Sequence, residues 1–256
     1  MSTVRELHLQ RGKFKICGDM YLPDEGKGVY PTVILAHGLG TNHDWFFTYG
    51  EMLSRAGIAC YIFDFCGGCN CSKSDGDMLN MSILTEIKDL TAVLEQIRVQ
   101  EFVDTNNVFL MGESQGGCVA AMVAAEHPDM VRGLVLLYPG FLIQEVAKER
   151  YPDPSKIPFL ATMAGMQVGR VYFEDALETD IYGTIGKYTG SVLILHGDRD
   201  EVVPISYSER AVSLYQSATL QVVKGAGHGF EGREEQLARE ASIAFVQEHV
   251  AVPDSE

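Results

Sequence analysis

Apolar residues fall along this chain in three distinguishable rhythms. Residues 3–22 alternate, with Val4, Leu7 and Leu9, then Phe14, Ile16, Met20 and Leu22, and Arg11-Gly12-Lys13 between them. Period-two alternation around a glycine turn predicts an antiparallel hairpin. Pro23 to Gly28 is a loop by composition. Beyond it come short runs that are apolar throughout or nearly so: Val33–Ala36, Ile58–Phe63, Val108–Met111, Leu134–Tyr138, Val192–Leu195 and Leu220–Val223. Such runs are strands buried on both faces. Segments of helical character separate them. These are Asp44–Ala56 ended by Gly57, Ser82–Arg98, the small apolar stretch Gly117–Ala125, Ser206–Tyr215 and Gly232–His249. Strands alternating with helices predict an α/β protein, with about eight strands in a mainly parallel sheet and helices on both faces.

The rhythm breaks once. Residues 141–188 carry Pro152, Pro154 and Pro158, the aromatic pair Tyr172-Phe173 and mixed amphipathicity. That is too long for a plain connection, so an insertion with its own structure is expected. The predicted organisation is a core of residues 1–140 and 189–256 with an inserted cap at 141–188. The insertion leaves from the carboxyl end of a strand, where loops of open α/β sheets build the ligand crevice.

Composition narrows the function classes. The net charge of −15 and the lack of a basic patch disfavour a nucleic-acid partner. No apolar run is long enough to span a bilayer, and Met1–Glu6 lacks the apolar core of a signal peptide. A cytoplasmic protein that does not engage membranes is the expectation, and a homodimer stays open. The six cysteines are then expected as reduced thiols. Cys66, Cys69 and Cys71 form the one cluster, which could bind metal only with a further ligand. No metal and no cofactor are expected.

The candidate chemistry begins at Gly112-Glu113-Ser114-Gln115-Gly116, between an apolar run and a small-residue helix. G-x-S-x-G in a strand–turn–helix context is a nucleophile elbow; a glycine-rich turn opening an ordinary helix is the plain alternative. A serine nucleophile needs a base, an acid that orients the base, and oxyanion donors. Past the 192–195 run lie Asp198 and Asp200, either of which could orient a base or cap the next helix. Asp200, farther into the loop, is favoured. His228, set among glycines after the last strand, is the base candidate. Of the other histidines, His8, His127 and His249 read as surface residues, His43 opens a helix, and His196 ends a strand and is structural. His37-Gly38-Leu39-Gly40 offers an oxyanion turn, with Leu39 N–H as one donor and Gln115 N–H as the other. The order Ser…Asp…His agrees with serine hydrolases of α/β architecture.

Taken together, HGLG, GESQGG, HGDRDEVVP and GAGHGF resemble the α/β-hydrolase superfamily over essentially the whole chain. The Ser-Gln pair, the stretch Lys187–Asp198 and the place of the insertion look most like bacterial cinnamoyl (feruloyl) esterases. The resemblance implies an α/β-hydrolase fold, a Ser114–Asp200–His228 triad, oxyanion donors Leu39 and Gln115, and a small-molecule ester as substrate. It also implies that the insertion holds the substrate's aromatic ring. His37, Gly38, Tyr151, Phe159, Met163, Met166, Tyr172, Phe173 and Tyr182 are therefore candidate lining, although each aromatic could equally be core of the insertion. Two departures stand out. Asp64-Phe65-Cys66-Gly67-Gly68-Cys69 lacks the arginine frequent after the second crossover strand, and Glu113 stands where histidine is frequent. A general carboxylesterase, acylglycerol lipase or peptidase-like hydrolase, a non-catalytic binding protein on this fold, and a metal-binding protein are the alternatives.

Overall fold

A computed structural model describes residues 3–24 and 27–251. Part of the predicted loop at Pro23–Gly28, residues 25 and 26, lies outside them. The predicted hairpin is present: β1 (Thr3–Arg11) pairs antiparallel with β2 (Phe14–Leu22). Then follow β3 (Tyr30–Ala36), α1 (Phe47–Arg55), β4 (Ala59–Phe63), α2 (Ile83–Arg98), β5 (Val103–Glu113), α3 (Ser114–Glu126) and β6 (Gly133–Leu137). The break in rhythm holds α4 (Ile143–Arg150), β7 (Leu160–Met163), β8 (Met166–Gly169), α5 (Arg170–Glu178) and α6 (Ile181–Ile185). The chain closes with β9 (Ser191–Gly197), α7 (Ser206–Val212), β10 (Ala218–Val223) and α8 (Gly232–His249). The main sheet has eight strands in the order β1-β2-β4-β3-β5-β6-β9-β10, parallel from β4 onward. This is the predicted architecture.

The uninterrupted apolar runs have a simple cause. Along β3, Val33 and Leu35 face one apolar cluster and Ile34 and Ala36 the other. Successive side chains point to opposite faces, so a strand covered on both sides must be apolar at every position. The first cluster is closed by α1 and α8, through Phe46, Tyr49, Leu53, Phe245 and Val246. The second is closed by α2 and α3, and it also takes in Phe141, Ile157, Val168, Tyr172, Phe173 and Ile181. Residues 141–188 thus share the main core and do not enclose a separate one. Helix α3 is pressed between the sheet and this segment, which explains why it is buried from Gln115 to Ala125 with almost no polar stripe.

Some boundaries differ from the sequence reading. The helix expected from Asp44 opens as a 3-10 turn at His43–Phe46 and becomes α-helical at Phe47. His43 N–H and its ring both bond the buried Asp64 carboxylate, which holds that turn. Strand β5 begins at Val103, five residues before the apolar run, because its start, Asp104 to Asn106, is polar and at least partly exposed and so gives no apolar signal. Among the described residues, no helix is long and apolar enough to cross a membrane.

Candidate active site

The parallel strands end on one edge of the sheet. Ala36 of β3 is level with Gly112 of β5, Glu113 with Leu137 of β6, and Leu137 with Leu195 of β9. The loops that follow these strands therefore meet in one row. Strand β5 passes into α3 without a connecting residue, and Ser114 takes the whole change of direction at a φ of 48°. For a residue with a Cβ, that conformation costs about 1–3 kcal/mol. The glycines make the turn sterically possible. A Cβ on Gly112 would stand 2.4 Å from Gly116 O, and one on Gly116 would stand 2.3 Å from His37 O. The Gly140 N–H bonds Ser114 O at 2.6 Å, so the loop after β6 braces the turn.

Ser114 Oγ lies 3.0 Å from His228 Nε2, and His228 Nδ1 lies 2.8 Å from Asp200 Oδ2. Asp200 is buried among donors. Val202 N–H and Val203 N–H bond Oδ1 at 2.9 and 2.8 Å, while His196 Nε2, whose proton goes to Val203 O at 2.8 Å, also approaches Oδ2 at 3.3 Å. Ser208 Oγ sits 2.7 Å from His196 Nδ1. Burial opposes ionisation of Asp200, but the hydrogen bonds from His196, His228 and Val203 outweigh it and hold the carboxyl well below the usual range. Asp198 faces elsewhere. It accepts Gly225 N–H at 2.6 Å and pairs with Lys224 at 3.2 Å, tying the loop after β9 to the loop after β10. The Tyr138 ring stands edge-on to His228, with centroids 4.8 Å apart.

The Gly38–Thr41 turn lies beside Ser114. Thr41 N–H closes it on Gly38 O at 3.3 Å, and Gly40 N–H is taken by Gly68 O at 3.0 Å. Leu39 N–H has no acceptor among the described residues. Gln115 lies in the first turn of α3, where a backbone N–H has no intrahelical partner and the helix dipole favours negative charge. The Gln115 side chain is fully engaged in the interior: Nε2 donates to Glu86 Oε2 at 2.8 Å, and Oε1 accepts the Tyr172 hydroxyl at 2.7 Å.

A cavity of about 320 Å³ opens at Ser114 and His228. Its walls are Leu39, Trp45, Phe46, Tyr49, Glu113, Tyr138, Phe230, Glu231 and Glu235. Aromatic side chains stand beside the serine, but they come from the α1 side (Trp45, Phe46, Tyr49) and the loops after β6 and β10 (Tyr138, Phe230), not from the insertion expected to supply them. The insertion candidates are dispersed. Phe159 is exposed at the surface, and Tyr172 and Phe173 are buried in the core. Tyr151 packs edge-on to Phe173, and the Tyr182 hydroxyl donates to Tyr207 O at 3.0 Å. Met163 and Met166 face each other across the β7–β8 turn, with Met166 Sδ pressed on Gly40 where a Cβ would sit. His37 lies beneath the turn; its Nε2 accepts Phe65 N–H at 3.0 Å and its Nδ1–H donates to Gly38 O at 2.8 Å. Of that set, only Gly38 lines the cavity. The insertion's buried aromatics, Tyr172 and Phe173, are spent on closing the core over α3.

The cysteine cluster points in several directions. Cys66 and Cys69 are buried and Cys71 is exposed, and among the described residues no three His, Cys, Asp or Glu side chains are grouped to hold a metal. Three neighbours of the site were not visible in the sequence as such: His196 behind Asp200, Tyr138 beside His228, and Tyr172 behind Gln115. The sequence signal available for His196 was its place two residues before Asp198, at the end of an apolar strand.

Comparison with known proteins places these observations in context. The family model Hydrolase_4 (serine aminopeptidase, S33) matches residues 29–182. A solved structure of Est1E from Butyrivibrio proteoclasticus with ferulic acid bound superposes with a TM-score of 0.87 at 25% identity, covering 95% of this chain and 98% of that one. Monoacylglycerol lipase abhd6-B of Xenopus laevis is 27% identical over 163 residues, which is 60% of this chain but 45% of the lipase. The fold is shared also with a monoacylglycerol lipase of Paleococcus ferrophilus, with a TM-score of 0.67 at 21% identity over 87% of this chain and 97% of that one.

Proposed function

The chain belongs to the Hydrolase_4 family of α/β-hydrolases, and on that premise we propose that it is a serine esterase whose nucleophile is Ser114. The observation that carries this reading is the continuous hydrogen-bonded series from Asp200 through His228 to Ser114, ending at a cavity. His228 Nε2 removes the Ser114 proton as Oγ bonds the acyl carbon. Asp200 fixes the imidazole with its proton on Nδ1 and stabilises the imidazolium that forms. The carbonyl oxygen becomes an oxyanion held by the Leu39 and Gln115 amides, where each donor is worth about 10²–10³ in rate. The C–O bond to the alcohol breaks, His228 returns the proton to the leaving oxygen, and an acyl-enzyme remains. Water then attacks with His228 again as base, which releases the acid and restores Ser114.

The substrate class in this reading is the hydroxycinnamate esters. Two observations support it: the likeness to a structure holding ferulic acid, and the aromatic walls of Trp45, Phe46, Tyr49, Tyr138 and Phe230 around the serine. The match to a monoacylglycerol lipase supports an acylglycerol as the second reading. Two experiments test the two levels separately. Labelling by a fluorophosphonate and hydrolysis of p-nitrophenyl butyrate should both disappear in Ser114→Ala, with kcat down about 10⁴-fold or more. Retained activity would remove the serine mechanism. Methyl ferulate and methyl caffeate should exceed methyl octanoate and a monoacylglycerol in kcat/KM. The reverse order would transfer the assignment to the lipid esters and leave Ser114 in place.

A further inference from the structure

Glu113, like Gln115, is a residue of the elbow whose side chain this chemistry does not use. It stands at the cavity wall, directly before Ser114, and each of its partners donates to it. Its Oε1 receives the Gly38 N–H at 3.2 Å and lies 3.3 Å from the Thr41 hydroxyl, which shares its one proton between this oxygen and Gly38 O at 3.0 Å. These two groups are the first and last residues of the turn that presents Leu39 N–H. Its Oε2 receives the Tyr138 hydroxyl at 2.7 Å, and that ring flanks His228. The fit is close, since a Cβ on Gly38 would lie 3.2 Å from both Glu113 Oε1 and Ser114 Cβ. Withdrawal from water raises the carboxyl above its ordinary range, and the Tyr138, Gly38 and Thr41 donors offset only part of that. A carboxyl kept there at such a cost is held by what it organises.

We propose that Glu113 is a positioning residue for acyl transfer: its Oε1 clamps both ends of the Gly38–Thr41 turn and so fixes Leu39 N–H at the oxyanion position. Strand β5 ends at Glu113 and α3 starts at Ser114, so nucleophile and clamp share one rigid junction. The distance between attacking oxygen and oxyanion donor is then set by Glu113's reach acting with the turn's own Thr41–Gly38 bond and the Gly40–Gly68 bond. An oxyanion donor contributes to the extent that it is pre-placed, and a displacement of about 1 Å can cost about 10² in rate. The clamp therefore acts on kcat and leaves ground-state binding nearly untouched.

This inference rests on Ser114 as nucleophile, and kinetics with p-nitrophenyl butyrate separate the two. Glu113→Ala should lower kcat about 10- to 100-fold with KM changed less than about threefold. Glu113→Gln should recover kcat to within about fivefold of the unaltered protein, because an amide oxygen also accepts from Gly38 and Thr41. A trifluoromethyl ketone, whose adduct with Ser114 carries an oxyanion, should lose affinity in step with kcat across the series. A folded Glu113→Ala with unaltered kcat, or a folded Glu113→Gln as impaired as Glu113→Ala, would overturn the clamp and leave Ser114 standing. Full activity in Ser114→Ala would remove both. Should Glu113→Ala not fold, Glu113→Asp carries the same test: its shorter reach should cost kcat likewise, and unaltered kcat there would overturn the proposal.

Discussion

Asp198 and Asp200 are alike in chemistry and nearly adjacent, yet their surroundings assign them different work. Asp200 turns inward because Val202 and Val203 N–H groups anchor one oxygen, leaving the other to His228. Asp198 is spent on Gly225 and Lys224. Asp200→Asn is expected to lower kcat by about 10⁴, since an amide can hold His228 in the wrong tautomer. Asp198→Asn, whose oxygen still accepts from Gly225, should stay within about threefold; kcat/KM of the two variants side by side decides the assignment. Both aspartates were visible in the sequence as candidates, and the strand before them fixed their neighbourhood. The choice between them depends on which backbone amides the loop presents, and no pattern of side chains records that. The aromatic residues make the same point more sharply. Tyr172 and Phe159 look equally suited to a pocket in the sequence, but one closes the core and the other meets solvent.

At the scale of elements, legibility follows periodicity. Strands β3 to β6 and β9 were readable because each carries an apolar run buried on both faces, even where its start is polar, as at Asp104 to Asn106 of β5. The β7–β8 hairpin was not. Its strands are four residues each, below the length at which alternation is visible, and its turn is Ala164-Gly165, both at positive φ (47° and 80°). Two-residue turns of that kind usually announce themselves by Asn-Gly or Gly-Gly, and alanine hides the signal. The elbow is the opposite case, for its glycines are dictated by contacts between elements. A Cβ on Gly116 would press on His37 O and also on Ala36 O at 2.5 Å, both backbone atoms at the end of β3. Gly116→Ala should destabilise the protein by about 1–3 kcal/mol or more, as overpacking against immovable atoms does. Urea unfolding measures it, and an unchanged midpoint would mean that β3 and α3 can part without cost.

Stability as a whole carries the signature of carboxyls inside the fold. Burial pushes Glu86 up to about 8, with the hydrogen bond from Gln115 pulling the other way. In the unfolded chain a glutamate titrates near 4.3. Between those values the folded protein holds a proton that the unfolded chain has lost, so stability falls as pH rises through that window. One such group gives a slope of about 1.4 kcal/mol per pH unit. Glu86→Gln keeps an acceptor for Gln115 and removes the titration. Thermal midpoints of the two proteins should nearly coincide at pH 5 and separate by pH 8, the variant being the more stable. Parallel curves would show that Glu86 is already ionised in the folded state.

The bond from Tyr172 to Gln115, and from Gln115 to Glu86, has a consequence for how such proteins can be recombined. Segments like 141–188 invite exchange between relatives, since each is one continuous crossover from the end of β6 to the start of β9. Here the incoming segment would have to bring a hydroxyl at the position of Tyr172, or leave the Gln115 side chain short of a donor directly beneath the proposed oxyanion site. Chimeras of this chain should accordingly divide by that one residue. On the proposed mechanism, those that keep the tyrosine should retain kcat on p-nitrophenyl butyrate, and those that lose it should be slower on every ester tested.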